Sequence, residues 1–363
     1  MKFLDEYRQA DAVQAAVRLI AEALDGKSAV LMEVCGTHTV ALFRSGLRQI
    51  FPRQLELLSG PGCPVCVTAN GYMDRAIAFC RRPDVIVVTF GDMYRVPGSS
   101  SSLEQERAAG ADVRTVYSAL ESTAIARENP GKKVVFLGVG FETTTPSVAA
   151  SVIAAHDAGL TNYFVYSGHK LVPPALRALA QDPDIRVQGL LLPGHVSTII
   201  GTAPYGFLAS EFNIPCAVAG FEPLDIARGV LSLARQVVSG GSELENAYKR
   251  SVRPEGNPKA MAAMSRVFQP CDAAWRGIGV IPGSGLALRP EFAAFDAEQG
   301  IEVEVEAERT DSGCMCGDIL KGVRKPPDCP LFAGVCTPLA PVGACMVSSE
   351  GTCAAYYKYG REN

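Results

Sequence analysis

Glu33-Val34-Cys35-Gly36-Thr37-His38-Thr39 is the stretch around which the chain is organised. It follows an apolar run, 29–32, that is typical of a short buried strand, and Gly36 allows a sharp turn after it. Cys35 is therefore expected at the carboxyl end of a strand, where open α/β sheets bind their ligands. A thiol and an imidazole, those of Cys35 and His38, suit a late transition metal. The alternative interpretation is a buried cysteine followed by a helix-capping histidine.

The composition indicates a globular protein. Of the 363 residues, 48% are hydrophobic and 20% are charged, and this length predicts two or three domains. The formal net charge of −4 provides no general attraction to nucleic acid or to an anionic membrane. No apolar run approaches the roughly 18 residues that span a bilayer.

The first 26 residues have a helical repeat of apolar side chains, which predicts an amphipathic helix over 1–26 rather than a signal peptide. Without an export signal, we expect a cytoplasmic protein. Its 12 cysteines should then be mostly reduced and available for metal or redox chemistry.

A second glycine-rich loop is Gly60-Pro61-Gly62-Cys63-Pro64-Val65-Cys66, which follows a short predicted strand. Cys63 and Cys66 are three positions apart, so their thiols can form a disulfide or bind one metal ion. The alternative is a chance pairing in a chain rich in cysteine. A helix over 70–80 and a buried strand over 84–90 are expected to follow.

The order of strand, glycine turn and polar residue then recurs. Strands predicted near 133–137 and 187–192 lead into the loops that carry Glu142 and His195. We interpret this as an internal duplication of one α/β unit. The two units are expected to span residues 27–128 and 129–240.

Two such units facing each other would form a cleft with candidate catalytic residues on both walls. One wall would carry Cys35, His38, Cys63 and Cys66, and the other would carry Glu142 and His195. In the alternative interpretation, Glu142 caps a helix and His195 is an ordinary loop residue.

The remainder, 241–363, is expected to form a third domain. Within it, Cys271 and Trp275 fall in a predicted loop, and the alternation over 302–306 predicts an exposed strand. Six cysteines follow among glycine and proline turns: Cys314, Cys316, Cys329, Cys336, Cys345 and Cys353. Thiolates on irregular loops favour an iron–sulfur cluster, and structural zinc is the main alternative. Two thiols exceed the need of either centre and could form a redox-active pair.

Together, these motifs resemble the HypD family of hydrogenase maturation factors. The resemblance covers essentially the whole chain and rests on 35–39, 60–66, 140–144, 193–197 and the tail over 314–359. It implies two related α/β domains and a third domain that holds a [4Fe–4S] cluster. It also implies assembly of the Fe(CN)2CO unit of nickel–iron hydrogenases in complex with a small HypC-type chaperone. A HypE-type partner would deliver cyanide, and the hydrogenase large subunit would be served indirectly.

The resemblance also implies roles for individual cysteines. Cys35 would bind the transient iron together with a cysteine of the HypC-type partner, and His38 would be a second ligand or a neighbour. Cys63 and Cys66 would be a redox-active pair near that iron. The cluster ligands would be Cys314, Cys329, Cys336 and Cys353. Cys316 and Cys345 would form an adjacent redox pair, although Cys316 could replace one of the four ligands.

The favoured function is therefore a redox-active scaffold for assembling a metal centre. The alternative function, from another class, is a thiol–disulfide oxidoreductase that receives electrons from an iron–sulfur cluster. Cys63 and Cys66 would be its catalytic pair. A zinc-stabilised binding protein is the third. No P-loop pattern for nucleotide binding occurs in the chain.

Overall fold

The computed structural model describes residues 5–309 and 313–360. The strands are β1 (Ala29–Glu33), β2 (Leu55–Ser59), β3 (Val85–Phe90), β4 (Val113–Val116), β5 (Lys133–Gly138), β6 (Tyr163–Ser167), β7 (Gly189–Pro193), β8 (Cys216–Ala219), β9 (Leu244–Asn246), β10 (Phe268–Trp275) and β11 (Gly279–Leu288). The helices are α1 (Ala10–Leu24), α2 (Gly36–Arg44), α3 (Leu47–Ile50), α4 (Asn70–Cys80), α5 (Leu103–Ala108), α6 (Ala119–Glu128), α7 (Thr145–Asp157), α8 (Val172–Gln181), α9 (Gly194–Ile200), α10 (Gly206–Phe212), α11 (Pro223–Ser239), α12 (Pro258–Val267), α13 (Ala297–Gly300), α14 (Cys316–Leu320), α15 (Ala344–Val347) and α16 (Thr352–Tyr359).

Two parallel sheets form the α/β part of the molecule, as the sequence predicts. The first sheet has the order β2-β1-β7-β8-β9, and the second has the order β4-β3-β5-β6. Their central strands are mostly apolar, and every residue of β7 is buried. Continuous apolar strands of this kind are expected where helices cover both faces of a parallel sheet.

Both sheets reverse their winding direction at one point. In the first sheet the chain passes from β1 to β2 on one side, and returns as β7 on the other side of β1. In the second sheet, β3 likewise lies between β4 and β5. The loops that follow the two strands at such a point diverge and leave a crevice at their carboxyl ends.

The strand pairing crosses the predicted boundary between 128 and 129. The first sheet combines β1 and β2 with β7, β8 and β9, whereas the second sheet is formed by the continuous segment 85–167. The sheets therefore do not correspond to residues 27–128 and 129–240. The periodicity of apolar residues identifies strands but not their neighbours, because a parallel pair is joined by a long crossover. Here the crossover from β2 to β7 contains the entire second sheet.

A shared apolar core joins the two sheets. It contains side chains of β1, β3, β5, β7 and β8, together with Cys63 and Cys66. On the outer face of the first sheet, α1 packs against α11, and this confirms the amphipathic helix predicted within 1–26. The outer face of the second sheet is covered by α6, α7, α12 and the hairpin of β10 and β11.

The segment after residue 241 does not form a separate unit. β9 completes the first sheet, and the antiparallel hairpin β10–β11 packs near the second sheet. Cys271 and Trp275 lie on strand β10, not in a loop, because Trp275 is buried and its indole Nε1 donates to Ser284 Oγ at 2.8 Å. The alternating segment 302–306 is not a strand, since it has no ladder partner among the described residues.

The tail over 313–360 consists of short helices and turns and packs on the first sheet, with α16 against α2. Cys329, Cys336 and Cys345 are buried within it, and the other tail cysteines are partly exposed. In the described part of the chain, no helix combines the length and apolar character that crossing a bilayer requires.

Candidate functional site

Cys35 lies at the crevice of the first sheet. It follows β1 and immediately precedes the first residue of α2, as the sequence predicts. Its backbone packs directly on the loop that follows β2: Gly36 N donates to Gly62 O at 3.0 Å. A Cβ atom at position 62 would lie 2.2 Å from Cys35 N and 2.4 Å from Cys35 Cα. Only glycine can occupy position 62, and its small size brings the two cysteine loops together.

The Cys35 thiol is buried at the start of a helix. The backbone N–H groups of Thr37 and His38 point at its sulfur and favour a thiolate, but burial and the Glu350 carboxylate outweigh them. The net effect raises the pKa of Cys35 to about 12. The thiol is therefore protonated at neutral pH, and a bound cation would have to displace this proton.

Cys63 directly follows Gly62, and Cys66 comes three positions later. Both are buried, Cys66 N donates to Cys63 Sγ at 3.3 Å, and Cys63 Sγ donates to Ser348 Oγ at 3.3 Å. The CxxC loop is thus placed between Cys35 and the cysteine-rich tail. The structure brings together Cys35, Cys63 and Cys66, which the sequence predicts on one wall.

The two histidines of the crevice contact the same aromatic ring. The ring of Phe221 stacks on His195 at a centroid distance of 3.9 Å and contacts His38 at 4.7 Å in a tilted arrangement. His38 is fully buried, and its Nε2 donates to Gly220 O at 2.9 Å, so Nδ1 carries the free lone pair. His38 is therefore a neighbour of Cys35 behind the wall of the crevice, and its Nδ1 has no hydrogen-bond partner among the described residues.

His195 lies on the same wall as Cys35, not opposite to it as predicted. It is the second residue of α9, which follows β7, and β7 pairs directly with β1. The prediction placed it in a second unit because residues 187–197 follow the assumed boundary. Burial lowers the pKa of His195, and the Glu350 carboxylate opposes this effect.

Glu350 is a site residue that the sequence does not reveal. Its Oε1 accepts a hydrogen bond of 2.6 Å from Thr37 Oγ1, although 313 positions separate the two residues. A Cβ at Gly36 would lie 2.3 Å from Glu350 O, so the tail is in direct contact with the start of α2. Glu350 thereby adds a carboxylate beside Cys35 and His195.

A cavity of about 730 Å³ lies between the two sheets, and its lining includes Cys35, Thr37, His195 and Glu350. Its other wall is formed by the loops after β3 and β5, the two strands where the second sheet reverses direction. This wall contributes Gly91, Asp92, Gly140, Phe141 and Thr143. The cavity therefore lies where the crevices of both sheets face each other. Its lining includes Tyr117, whose side chain is fully exposed.

Glu142 belongs to the second sheet, as predicted, but its carboxyl points into the protein and not into the cavity. Its Oε1 accepts a hydrogen bond of 2.9 Å from Val172 N, and its Oε2 has no partner in the described part of the chain. Burial raises the pKa of Glu142 to about 7. The buried hydroxyl of Tyr205 is an electrostatic neighbour of both Glu142 and Cys35.

A second buried carboxyl lies behind Cys35. Glu33 accepts hydrogen bonds from Thr39 Oγ1 at 2.5 Å and from Cys35 N at 3.2 Å. Burial raises its pKa to about 7, despite these hydrogen bonds. Glu33 and Glu142 thus flank the crevice from behind, one from each sheet.

The Glu142→Gln variant is expected to change how stability depends on pH. Between pH 4.5 and 7 the folded chain retains a proton on Glu142 that the unfolded chain has released. The free energy of unfolding of the wild type, relative to that of Glu142→Gln, should therefore fall by about 3 kcal/mol as pH rises through this window. Urea denaturation at pH 5 and at pH 7.5 measures this difference. Contributions from buried histidines are common to both proteins and cancel.

Glu104→Gln, at an exposed glutamate of α5, is the matched control and should track the wild type. A difference between wild type and Glu142→Gln that is independent of pH would contradict the burial of this carboxyl.

The tail cysteines make thiol–thiol contacts that reach the CxxC loop. The Cys345 thiol accepts hydrogen bonds from those of Cys353 and Cys66, and these lower its pKa. The thiols of Cys314 and Cys316 likewise form a hydrogen bond with each other. Cys316 and Cys345, the predicted redox pair, are thus electrostatic neighbours, but each has another thiol in hydrogen-bonding contact.

The remaining tail cysteines, Cys329 and Cys336, lie in one tight turn. Leu331 O accepts from Cys336 N at 2.8 Å, and Val342 N donates to Cys336 Sγ at 3.3 Å. Cys353 is an electrostatic neighbour of both Cys336 and Cys314. Among residues 5–309 and 313–360, no three His, Cys, Asp or Glu side chains converge closely enough to bind a single metal ion.

With this geometry established, the comparisons with known proteins identify the family. The sequence pattern of HypD, described as the hydrogenase formation hypA family, matches residues 11–360. The chain belongs to the HypD family.

Relatives within the HypD family align with the whole chain. Hydrogenase maturation factor HypD of Rhizobium leguminosarum bv. viciae is 46% identical over 370 residues, covering 99% of this chain and 96% of that protein. HypD of Escherichia coli (strain K12) is 44% identical over 371 residues, with 100% and 99% covered. Hydrogenase expression/formation protein HupD of Azotobacter chroococcum mcd 1 is 46% identical over 370 residues, with 100% and 98% covered.

The resemblance to the HypD family inferred from the motifs is therefore confirmed. Five of the residues predicted for its site are in or beside the crevice of the first sheet: Cys35, His38, Cys63, Cys66 and His195. Thr37, Glu350 and Tyr205 were not predicted, because no local pattern distinguishes them. Thr37 and the glycine before it were present in the motif, but only the folded tail shows what they contact.

Proposed function

We propose that this member of the HypD family is a scaffold for assembling the iron centre of a nickel–iron hydrogenase. An iron ion carrying cyanide and CO is its cargo, and Cys35 is the protein ligand of that cargo. The observation that supports this most strongly is the position of Cys35, in the cavity where the crevices of two parallel sheets meet. Thiolate is a soft ligand that suits low-spin iron.

The surroundings of Cys35 fit this role. The thiol is buried, and helix N–H groups and the nearby Glu350 carboxylate set its charge state. Cyanide and CO on iron require a site that excludes water and competing ligands, which a crevice between two sheets provides. His38 is placed to orient this end of the site or to add a second ligand through Nδ1.

A small HypC-type chaperone would dock over the mouth of the cavity and contribute the second thiolate. The fully exposed side chain of Tyr117, in the cavity lining, is suited to such a contact, because tyrosines often dominate binding energies at interfaces. A HypE-type partner would deliver cyanide to the same opening. The hydrogenase large subunit would then receive the completed unit from the complex.

The tail residues fit a [4Fe–4S] cluster held by Cys314, Cys329, Cys336 and Cys353. Their donor atoms are all thiols, three of them lie on irregular turns and Cys353 lies near the start of α16, and a backbone N–H already points at one sulfur. A cluster is wider than one ion, which agrees with thiols that are neighbours but do not converge on a point. When bound, such a cluster supplies single electrons at a low potential.

The contacts of Cys345 connect the tail to the CxxC loop. Cys66 and Cys345 share a hydrogen bond, Cys66 is next to Cys63, and Cys63 contacts Ser348 of the tail. Thiols in contact can exchange disulfide bonds without large movement of the chain. We therefore assign Cys63 and Cys66 as the redox-active pair beside the iron, and Cys345 with Cys316 as the thiols that link this pair to the cluster.

Complementation tests this function. The chain is introduced into a bacterium that lacks its own HypD-family protein but retains the other maturation proteins, and hydrogenase activity is measured. We expect the wild type to restore activity, Cys66→Ala to restore little or none, and Cys80→Ala to restore it fully. Cys66 and Cys80 are both buried in the shared core, so the cavity left by the substitution is comparable in size.

The complementation assay distinguishes the proposed assembly scaffold from a general thiol–disulfide oxidoreductase. Such an enzyme would reduce a model disulfide such as insulin in vitro and would leave the hydrogenase inactive. Failure of the stably produced wild type to restore activity, or equal activity of Cys66→Ala and wild type, would contradict the proposal.

A further inference from the structure

Arg276 is a buried cation without a carboxylate partner. Only 8% of its surface is exposed, and it directly follows Trp275 at the end of β10. Its Nε donates to Thr68 O at 2.7 Å and its Nη2 to Pro97 O at 3.3 Å. No ion pair of Arg276 occurs among the described residues. Burial of a guanidinium is unfavourable unless a negative charge compensates it.

The neighbours of Arg276 include four cysteines. Cys314 and Cys316 line the same cavity as Arg276, and the thiols of Cys66, Cys314, Cys316 and Cys345 interact with its guanidinium electrostatically. These come from both the CxxC loop and the tail. Glu308 and Asp318 line the same cavity of about 680 Å³ as Arg276, and neither is bonded to it. Thiolates of these cysteines would supply the compensating charge.

The backbone fixes Arg276 in this position from two sides. Its own N–H donates to Val67 O at 2.9 Å, directly after the CxxC motif. On the other side, a Cβ at Gly317 would lie 2.1 Å from Gly277 O, so the two glycine backbones are in direct contact. Cys316 is thereby held beside the residue that follows Arg276.

We infer that Arg276 is the counter-charge of the thiolate cluster, a positioning residue that holds the CxxC loop and the tail thiols together by its fixed positive charge. This inference rests on the proposed cluster in the tail. The positive charge favours the more negative state of the centre, so it raises the reduction potential and helps the thiolates to retain iron. A lysine would keep this effect in part, whereas an uncharged side chain would lose it.

The test compares the iron and sulfide content and the midpoint potential of anaerobically purified full-length variants. The potential is titrated with dithionite and mediators, and followed by visible absorbance. For Arg276→Met we expect a several-fold loss of iron and sulfide, and a shift of the remaining centre to a more negative potential. Arg276→Lys should retain most of the iron, and its midpoint potential should lie between those of the wild type and Arg276→Met.

Arg289→Met is the matched control. Arg289 lies just after β11 of the same hairpin and likewise donates to backbone carbonyls, Ser265 O at 2.7 Å and Phe268 O at 3.3 Å. The Arg289→Met substitution should leave the iron content and the midpoint potential unchanged. A purely structural role for Arg276, through its bonds to Thr68 O and Pro97 O, predicts that loss of iron is not accompanied by a shift in the potential of the remaining centre.

Equal iron content and potential in Arg276→Met and wild type would overturn the inference, as would equal damage by Met and Lys. A wild type without iron or sulfide, when purified without air, would instead contradict the proposed cluster. The two failures are therefore distinguishable.

Discussion

Gly62→Ala is expected to abolish hydrogenase maturation and to lower the free energy of unfolding by about 3 kcal/mol or more. The added Cβ would lie 2.2 to 2.4 Å from Cys35 N, Cys35 Cα and Val34 C. All three are backbone atoms, so no side chain can rotate away to make room. The loop of Cys63 and Cys66 must then move away from Cys35, and the hydrogen bond from Gly36 N to Gly62 O is lost.

Gly91→Ala is the control for this effect. Gly91 lines the same cavity from the second sheet, yet a Cβ there would meet nothing within 4 Å. It should fold and function like the wild type. Urea denaturation measures the free energy of unfolding of both variants, and the complementation assay measures their ability to restore hydrogenase activity. If Gly62→Ala matched Gly91→Ala in both assays, the close packing of the two cysteine loops would be wrong.

Local sequence patterns predict much of the crevice, because each functional loop follows its own strand. A buried strand, a glycine and a polar residue appear together at Cys35, at Cys63 and at His195, and each was found at the carboxyl end of a strand or directly after it. The helix over 70–80 and the strand over 84–90 were confirmed with nearly the same bounds. These elements depend on interactions between residues that are close in the chain.

The arrangement of the strands could not be predicted in the same way. Whether β1 pairs with β3 or with β7 depends on side chains more than a hundred positions apart, and the apolar pattern of all these strands is similar. His195 was therefore assigned to the wrong wall. Similarly, the alternation over 302–306 is that of an exposed strand, but no neighbouring strand is available to it among the described residues.

Glu350 and Arg276, which sequence reasoning missed, depend on contacts between distant parts of the chain. Glu350 contacts Thr37 only because α16 packs on α2, and Arg276 reaches the thiols only because the hairpin lies next to the CxxC loop. Neither is part of a motif with a recognisable spacing. The density of cysteines in the tail predicts a metal or redox function, and this stays a prediction; it does not indicate that a tail thiol contacts Cys66.

The Cys35→Ala variant is the other change with a large expected effect. It removes the only thiol that lines the cavity between the sheets in the described part of the chain, while the tail thiols are unchanged. We expect the variant to fold, because alanine fills most of the buried space and makes the same backbone bonds. Its complex with the HypC-type partner should lose the cargo iron completely and keep the visible absorbance of the cluster.

Cys216→Ala provides the matched control, since Cys216 is equally buried in β8 of the first sheet but lies outside the cavity. It should retain both the cargo iron and the absorbance of the cluster. Loss of both signals in Cys35→Ala would indicate misfolding, and the free energy of unfolding of each variant measures this directly.

The most direct test of Cys35 as the ligand of the cargo iron is infrared spectroscopy of the complex purified without air after co-expression with its small partner. We predict cyanide and CO stretching bands in the wild type and in Cys216→Ala, and none in Cys35→Ala. Cyanide and CO bands of wild-type intensity in Cys35→Ala would show that the iron unit is assembled elsewhere.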